Sequence, residues 1–151
     1  MPQSPAQIWP HIIFSTKERY PFFKKPALQE EVFAYLSEVC GRIECPAAIT
    51  GGHRDHVHVL CRQSKNISTS QLVGTLKRHS SKWIKSKGGI LSKFFWQAGY
   101  GAFSVGPSQL PMAKDYIRNQ EAHHQRVDIK SEFRAFLDRY DISYDDKHLW
   151  D

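Results

Sequence analysis

Hydrophobic residues recur along this chain with two periods, and the change from one period to the other predicts its strands and helices. Alternating or short apolar runs predict strands, whereas apolar positions three and four residues apart predict helices. The predicted strands are Ile8–Lys17, Ala47–Gly51, His56–Arg62 and Phe94–Val105, and the predicted helices are Pro26–Ile43, Thr69–Lys87, Leu110–Gln125 and Ile129–Tyr140. The β-α-β-β-α-β order at the start predicts an α+β fold with a ferredoxin-like (split βαβ) antiparallel sheet and helices packed on it. We expect residues 1–151 to form a single domain.

The third predicted strand carries two histidines that its period places on one face. His56 and His58 project together, while Val57 and Val59 point the other way, into a core. Two neighbouring imidazoles form half of a site for a divalent metal ion. The plainer alternative is an exposed strand face on which polar residues alternate by chance.

The helix predicted from Leu110 to Gln125 supplies a possible nucleophile and a third ligand. Tyr116 and Gln120 are four residues apart and therefore share a helical face. Ser108 is the expected N-cap, and Pro111 falls in the first turn. For this pair alone, the plainer alternative is a tyrosine packed on the core and a solvated glutamine.

Composition and charge favour a compact domain with a polyanionic partner. The chain has 151 residues, 40% of them hydrophobic, and carries a formal net charge of +6 with a sequence pI near 9.3. A membrane surface is the rival partner, but no apolar run approaches the ~18 residues that span a bilayer. The N-terminus lacks the pattern of a signal peptide. Cys40, Cys45 and Cys61 are too few for a disulfide framework, so we expect reduced thiols in a cytoplasmic protein.

Basic residues on the second predicted helix are candidates for contacts with nucleic acid. Few acids intervene between residues 63 and 114, and a second basic cluster follows the first predicted strand. The candidate DNA-binding residues are Lys17, Arg19, Lys77, Arg78, Lys82 and Lys85. A solvated helix face is the plainer explanation. Trp83 lies on the apolar arc of the same helix and is expected in the core, whereas Trp96 could lie in the core or stack on a base.

Taken together, the histidine strand, the single tyrosine and the glutamine four residues later resemble the HUH nucleases with one catalytic tyrosine. The closer resemblance is to the small insertion-sequence two-hundred-like transposases, and it extends over nearly the whole chain. Three further segments carry it, namely His11–Lys17, Trp96–Val105 and Tyr144–Asp151.

The resemblance implies a DNA transposase that cleaves and rejoins single-stranded DNA at insertion-sequence ends. Tyr116 would be the nucleophile that forms a 5′-phosphotyrosine link, and His56, His58 and Gln120 would hold Mg²⁺ or Mn²⁺. By ligand preference alone, the mixed nitrogen and oxygen set suits Mn²⁺ or Zn²⁺. The implied partners are single-stranded DNA with hairpins near the element ends and a second copy of the chain, in a homodimer with shared active sites.

Several alternatives stay open from the sequence. A domesticated, repeat-associated tyrosine transposase would use the same residues, and a non-catalytic ferredoxin-like nucleic-acid-binding protein would carry the histidines incidentally. Replication initiators and conjugative relaxases share the chemistry but are usually longer. Among the remaining polar residues, His124 lies one turn beyond Gln120 and could support the ligands, while His11 and His53 are interpreted as structural. Asp55 is expected to point away from His56.

Overall fold

The computed structural model describes residues 3–124 and 127–145 and places strands and helices in the predicted order. The strands are β1 (Trp9–Ser15), β2 (Ala47–Gly52), β3 (His56–Cys61) and β4 (Gly101–Val105). The helices are α1 (Pro26–Arg42), α2 (Thr69–Lys85), α3 (Leu110–Arg118), α4 (Gln120–His124) and α5 (Ile129–Arg139). Short 3-10 turns occupy Lys17–Arg19, Gly89–Lys93 and Pro107–Gln109.

The strands form one antiparallel sheet in the order β2-β3-β1-β4. Each βαβ crossover skips one strand, which then pairs with both of its neighbours, and this is the split βαβ arrangement. The register places Ile13 of β1 opposite His58 of β3 and opposite Gly101 of β4. The predicted ferredoxin-like fold is therefore confirmed.

Helices cover both faces of the sheet. On one face, α1 and α2 pack on a core that includes Val57 and Val59. On the other face, α5 packs through Ile129, Phe136 and Leu137 on Ile13 and Phe103. Because both faces are covered, every residue of β3 is buried, and the alternative of an exposed histidine face is wrong. The valines do enter the core, as the strand period predicts.

Two predicted elements differ from the structure in extent. The strand predicted over Phe94–Val105 is regular only from Gly101, because Phe94 turns into the core and the Lys77 ammonium donates hydrogen bonds to the carbonyls of Gln97 and Gly99. Those carbonyls accept hydrogen bonds from the Lys77 side chain instead of from the backbone N–H groups of a neighbouring strand.

The tyrosine helix is also shorter than predicted. It ends at Arg118, and α4 begins at Gln120 after a single non-helical residue, Asn119. Ser108 is not its N-cap, because the preceding 3-10 turn continues into the helix and Gln109 takes that position. Position 125, the predicted end, lies outside the described residues.

A close backbone contact fixes α3 against β2. A Cβ atom added at Gly51 would lie 2.7 Å from the carbonyl oxygen of Ile117 and 2.8 Å from its Cγ2 atom. Only glycine allows that approach. Since Ile117 follows Tyr116, the contact also sets the position of the tyrosine over the sheet. Among the described helices, none has the length and apolar character needed to cross a membrane.

Candidate active site

The two strand histidines form the base of a buried polar site on the face covered by α3, α4 and α5. His56 and His58 are both fully buried, and their ring centroids lie 5.2 Å apart. Imidazoles in an apolar interior need partners at both ring nitrogens. Around the two rings the structure places polar side chains from β1, the turn before β3, α4 and α5.

The Nδ1 atom of each histidine is held by a residue behind it. His56 Nδ1 lies 2.8 Å from the carboxylate of Asp55, and His58 Nδ1 lies 2.8 Å from Nε2 of His11, itself buried in β1. When Nδ1 carries the proton, Nε2 is left as the free ligand atom, which is the usual arrangement behind metal-binding histidines. The expectation that Asp55 points away is wrong, since Asp55 precedes β3 and does not follow its alternation.

Gln120 and Tyr116 approach the same histidines from the far side. Gln120 is almost fully buried, its Oε1 atom lies 3.2 Å from His56 Nε2, and its amide donates to the carbonyl of Tyr116. The Tyr116 ring centroid lies 5.8 Å from that of His58. The structure therefore brings the predicted nucleophile and all three predicted ligands together within one chain.

Glu132 of α5 lies at the centre of the site, and sequence reasoning missed it. Its Oε2 atom accepts a hydrogen bond from the Tyr116 hydroxyl and lies 3.0 Å from His123 Nε2 and 3.1 Å from His124 Nε2. Its Oε1 atom lies 2.9 Å from His58 Nε2. One carboxylate thus connects the tyrosine to the histidine pair. The available signal was an acid at position 132, three residues after Ile129 and four before Phe136 on the apolar stripe of the helix.

The donor atoms meet the geometric requirements of a metal site. Ligand atoms of His56, His58, His124 and Glu132 all lie within 4.8 Å of one another. His58 Nε2 and Glu132 Oε1 are buried and face each other, but no hydrogen bond of acceptable angle joins them or links either to another described residue. A divalent ion between such atoms would satisfy both, and imidazole with carboxylate is a common ligand set for transition metals. The residues present therefore fit a metal ion, and His124 and Glu132 add donor atoms to those of the two predicted histidines.

Burial and the central carboxylate set the protonation of the site. Burial lowers the pKa of His58 to about 4, against the opposing effect of Glu132, and burial also lowers the pKa of His11 to about 3. Burial opposes ionisation of Glu132, but the hydrogen bond from His124 and the nearby His58 ring hold its pKa below the ordinary value. Burial and the Glu132 charge raise the pKa of Tyr116. The site thus contains a carboxylate beside a protonated phenol.

The predicted DNA-binding residues of α2 lie on the opposite side of the sheet from this site. Arg78, Lys82 and Lys85 line a groove between α2 and the segment 96–98. Lys77 also lines it, but its ammonium is bound to the Gln97 and Gly99 carbonyls, and burial lowers its pKa. The structure therefore does not bring the basic groove next to the tyrosine.

The other predicted basic residues, Lys17 and Arg19, follow β1, and the two tryptophans of this region pack on the core. Lys17 and Lys85 both approach the exposed ring of Phe95, at 5.8 Å and 4.0 Å from its centroid, and Arg19 lies in the neighbouring 3-10 turn. Trp83 stacks on Tyr35, which confirms its place in the core. Trp96 also packs on the core, and its indole N–H donates to Ser80.

Comparison with known sequences identifies the family. Residues 4–120 match the family described as "Transposase IS200 like". The chain belongs to the IS200-like transposases. The matched range includes the histidine pair and ends at Gln120, so Glu132 lies beyond it. A comparison with curated proteins finds no match.

Solved structures of transposases share the fold. One is a candidate transposase from Deinococcus radiodurans R1, with 19% sequence identity and a TM-score of 0.61, covering 78% of this chain and 93% of that one. Another is a REP-associated tyrosine transposase bound to a REP hairpin, with 12% identity and a TM-score of 0.57, covering 84% of this chain and 76% of that one. At these identities the likeness is one of fold.

Asp55 and His11 should control metal affinity without touching the ion. We predict that Asp55→Ala and His11→Ala each weaken Mn²⁺ binding by about 10–100-fold, because the ligand rings lose the partners that orient them. Isothermal titration calorimetry measures the affinity, and circular dichroism checks that the variants are folded. His79→Ala, which removes an exposed histidine of α2, is the matched control and should bind as the wild type does. Wild-type affinity in both folded variants would contradict the assignment.

Proposed function

We propose that this IS200-like transposase cleaves and rejoins single-stranded DNA through a covalent bond between Tyr116 and a 5′-phosphate. The observation that carries the proposal is the continuous contact from the Tyr116 hydroxyl through Glu132 to His58. This contact supports the proposal, because in one buried site the tyrosine would be the nucleophile, the carboxylate the proton acceptor and the histidine a metal ligand. The family supports the class of reaction, and the contact supports the roles proposed for individual side chains.

The metal ligands in this proposal are His56, His58 and Gln120, together with Glu132 and His124. A divalent ion bound there would act as a Lewis acid on the scissile phosphate. The family resemblance favours Mg²⁺ or Mn²⁺, and the three imidazoles make Mn²⁺ the better match, because Mg²⁺ prefers all-oxygen ligands. Asp55 and His11 hold the first two ligands so that Nε2 of each faces the site.

The remaining chemistry belongs to Tyr116 and Glu132. The phenol holds its proton in the structure, and Glu132 Oε2 is the atom to which it is already hydrogen-bonded. As the tyrosine oxygen bonds to phosphorus, the proton passes to Glu132 and the bond from phosphorus to the 3′-oxygen breaks. The leaving 3′-oxygen then takes up this proton from Glu132, relayed by water, to become a 3′-OH, and Glu132 returns to its carboxylate form. The phosphotyrosine conserves the bond energy, so rejoining runs the same steps in reverse.

The substrate in this proposal is single-stranded DNA with hairpins near the element ends. Support comes from the basic groove and from the cations around Phe95, since lysine and arginine bind phosphates. The exposed Phe95 ring adds a surface on which a base can stack. A repeat-associated transposase would act through the same residues on palindromic repeats. The structural neighbour bound to a REP hairpin makes such repeats the second substrate to test.

We place the reaction in the cytoplasm because Cys40, Cys45 and Cys61 are all buried, unpaired thiols, as expected in a reducing compartment. The active form is proposed to be a homodimer, as the family resemblance implies. Gly99 lies in the irregular segment before β4, and Gly106 with Pro107 lies between β4 and the tyrosine helix. The junction at Gly106 and Pro107 is the proposed joint through which two chains exchange that helix.

Tyr116→Phe should abolish covalent capture of DNA while leaving DNA binding intact. We expect the wild type to form a protein–DNA adduct with labelled single-stranded ends only when Mn²⁺ or Mg²⁺ is present, because the phenol oxygen is the attacking atom. A denaturing gel measures the adduct. Tyr100→Phe, at an exposed tyrosine, is the matched control and should form the adduct normally.

Two other results would point elsewhere. DNA cleavage without an adduct would indicate a hydrolytic nuclease. DNA binding without cleavage on either element ends or palindromic repeats would indicate a non-catalytic binding protein.

Mutation of the basic groove should change the salt dependence of DNA binding. We predict that Arg78→Ala/Lys82→Ala makes the negative slope of log affinity against log salt shallower by about 1.4, since each lost phosphate contact on single-stranded DNA contributes about 0.7 to its magnitude. Fluorescence anisotropy at several salt concentrations measures the slope. Lys24→Ala/Lys25→Ala removes the same charge from an exposed site ahead of α1 and is the control. Equal slopes for the two double variants would exclude the groove as the binding surface.

Mixed dimers test whether the active sites are shared. A Tyr116→Phe chain mixed with a His56→Ala chain should regain adduct formation when helices exchange, because one composite site then contains both intact residues. Each variant alone is the control for background activity. Absence of adduct in the mixture would mean that each chain builds its own site, as the contacts within one chain already allow.

A further inference from the structure

A cleft of about 530 Å³ between α3 and α5 leads from the protein surface to the candidate active site. Its inner end contains buried Glu132, and its outer end contains Met112, which is 74% exposed. The side chains used below are Met112, Tyr116, Glu132, Phe136, Arg139 and Tyr140, all of which line the cleft.

The cleft gives a DNA phosphate a path to the buried histidines. His56 and His58 are fully buried and Gln120 is nearly so, and a DNA phosphate therefore needs a path to them. Tyr116 and Glu132 line the cleft at its inner end, and Glu132 Oε1 faces His58 on the other side. A phosphate in the cleft would lie against Tyr116 and Glu132, with the His58 ring directly behind Glu132.

Arg139 gives the cleft a positive charge. Its guanidinium lies 5.4 Å from the centre of the Phe136 ring, and the residue is exposed. Within residues 3–124 and 127–145, no carboxylate forms an ion pair with it. An arginine held beside an aromatic wall, without an acidic partner, can donate two hydrogen bonds to a phosphate.

Tyr140 and Met112 give the cleft apolar walls that can contact the sugar and base of a nucleotide. The Tyr140 hydroxyl donates to the Ser104 carbonyl, and this bond fixes the ring at the edge of the cleft. Met112 contributes an adaptable apolar surface from the opposite helix. Pockets for small ligands measure about 300–1,000 Å³, so the volume is sufficient for one nucleotide unit.

We propose that this cleft binds the nucleotide next to the scissile bond of single-stranded DNA, with Arg139 holding its phosphate. The proposal rests on the proposed function, since it gives a location to the DNA that Tyr116 would attack. The Glu132 carboxylate is engaged by the Tyr116 hydroxyl and by the imidazoles of His123 and His124, so it does not face the cleft as a free anion. Arg139 then adds the positive charge that attracts the DNA.

Chemical labelling tests occupancy of the cleft independently of catalysis. In Met112→Cys, the new thiol is exposed while the three native cysteines are buried, so a maleimide reacts at one position. Saturating single-stranded DNA should slow this reaction at least about tenfold in the absence of metal. Ala34→Cys, on the exposed side of α1, is the control and should react at the same rate with and without DNA.

Kinetics test the role of Arg139. Arg139→Ala should slow adduct formation at limiting DNA by about tenfold or more, the usual effect of losing a charged hydrogen bond. Arg139→Lys should recover part of the rate, because the charge remains without the planar fork. Arg118→Ala, which removes an exposed arginine of α3 paired with Asp115, is the control and should match the wild type.

The outcomes separate this inference from the proposed function. Unchanged labelling of Met112→Cys under saturating DNA, or identical kinetics for Arg139→Ala and Arg118→Ala, would overturn the cleft proposal. Absence of any adduct with the wild type would instead overturn the proposed covalent reaction, whatever the labelling experiment shows.

Discussion

The rest of the structure depends on the burial of two histidines between the sheet and the helices that cover it. Imidazoles without partners would cost several kcal/mol in such an interior. Asp55 binds Nδ1 of His56, and His11 binds Nδ1 of His58. The Glu132 carboxylate approaches Nε2 of His58. A carboxylate is itself costly to bury unless it is paired, so the acid and the histidines stabilise each other. The contacts within the site therefore contribute to the stability of the fold as well as to its proposed chemistry.

The need to pair these buried groups explains why α3, α4 and α5 cover the histidine face of the sheet. Glu132 can reach the histidines only if α5 lies flat on the sheet, and Phe136 and Leu137 hold it there against Phe103. The tyrosine helix must come equally close, and Gly51 permits this by leaving room for the Ile117 backbone. A ferredoxin-like sheet with helices on one face only would leave the histidine face in water, where the same residues would have ordinary pKa values and no fixed geometry.

Much of the fold and half of the site follow from local sequence patterns. The βαββαβ order, the histidine pair and the one-turn spacing of Tyr116 and Gln120 all depend on periods of two or 3.6 residues, which are visible in a short window. The contacts of Glu132 and His11 join residues 74 and 47 positions away from their histidine partners. No local period encodes such pairs. The predicted start of the fourth strand was wrong because the Lys77 side chain binds the backbone carbonyls of Gln97 and Gly99, which a strand would need for its own hydrogen bonds.

The sheet separates the two activities expected of a transposase. The basic groove lies on the α2 side and the tyrosine on the α5 side, so one DNA strand that uses both must pass an edge of the sheet. The segment at Gln97 and Ala98 borders the groove and also a cavity lined by α5, beside the edge strand β4. From β4 to the histidines on β3 is two strand spacings, about 10 Å. Under the proposed function, a few nucleotides would suffice for that path, and the basic side would hold a structured part of the DNA while an unpaired end reached Tyr116.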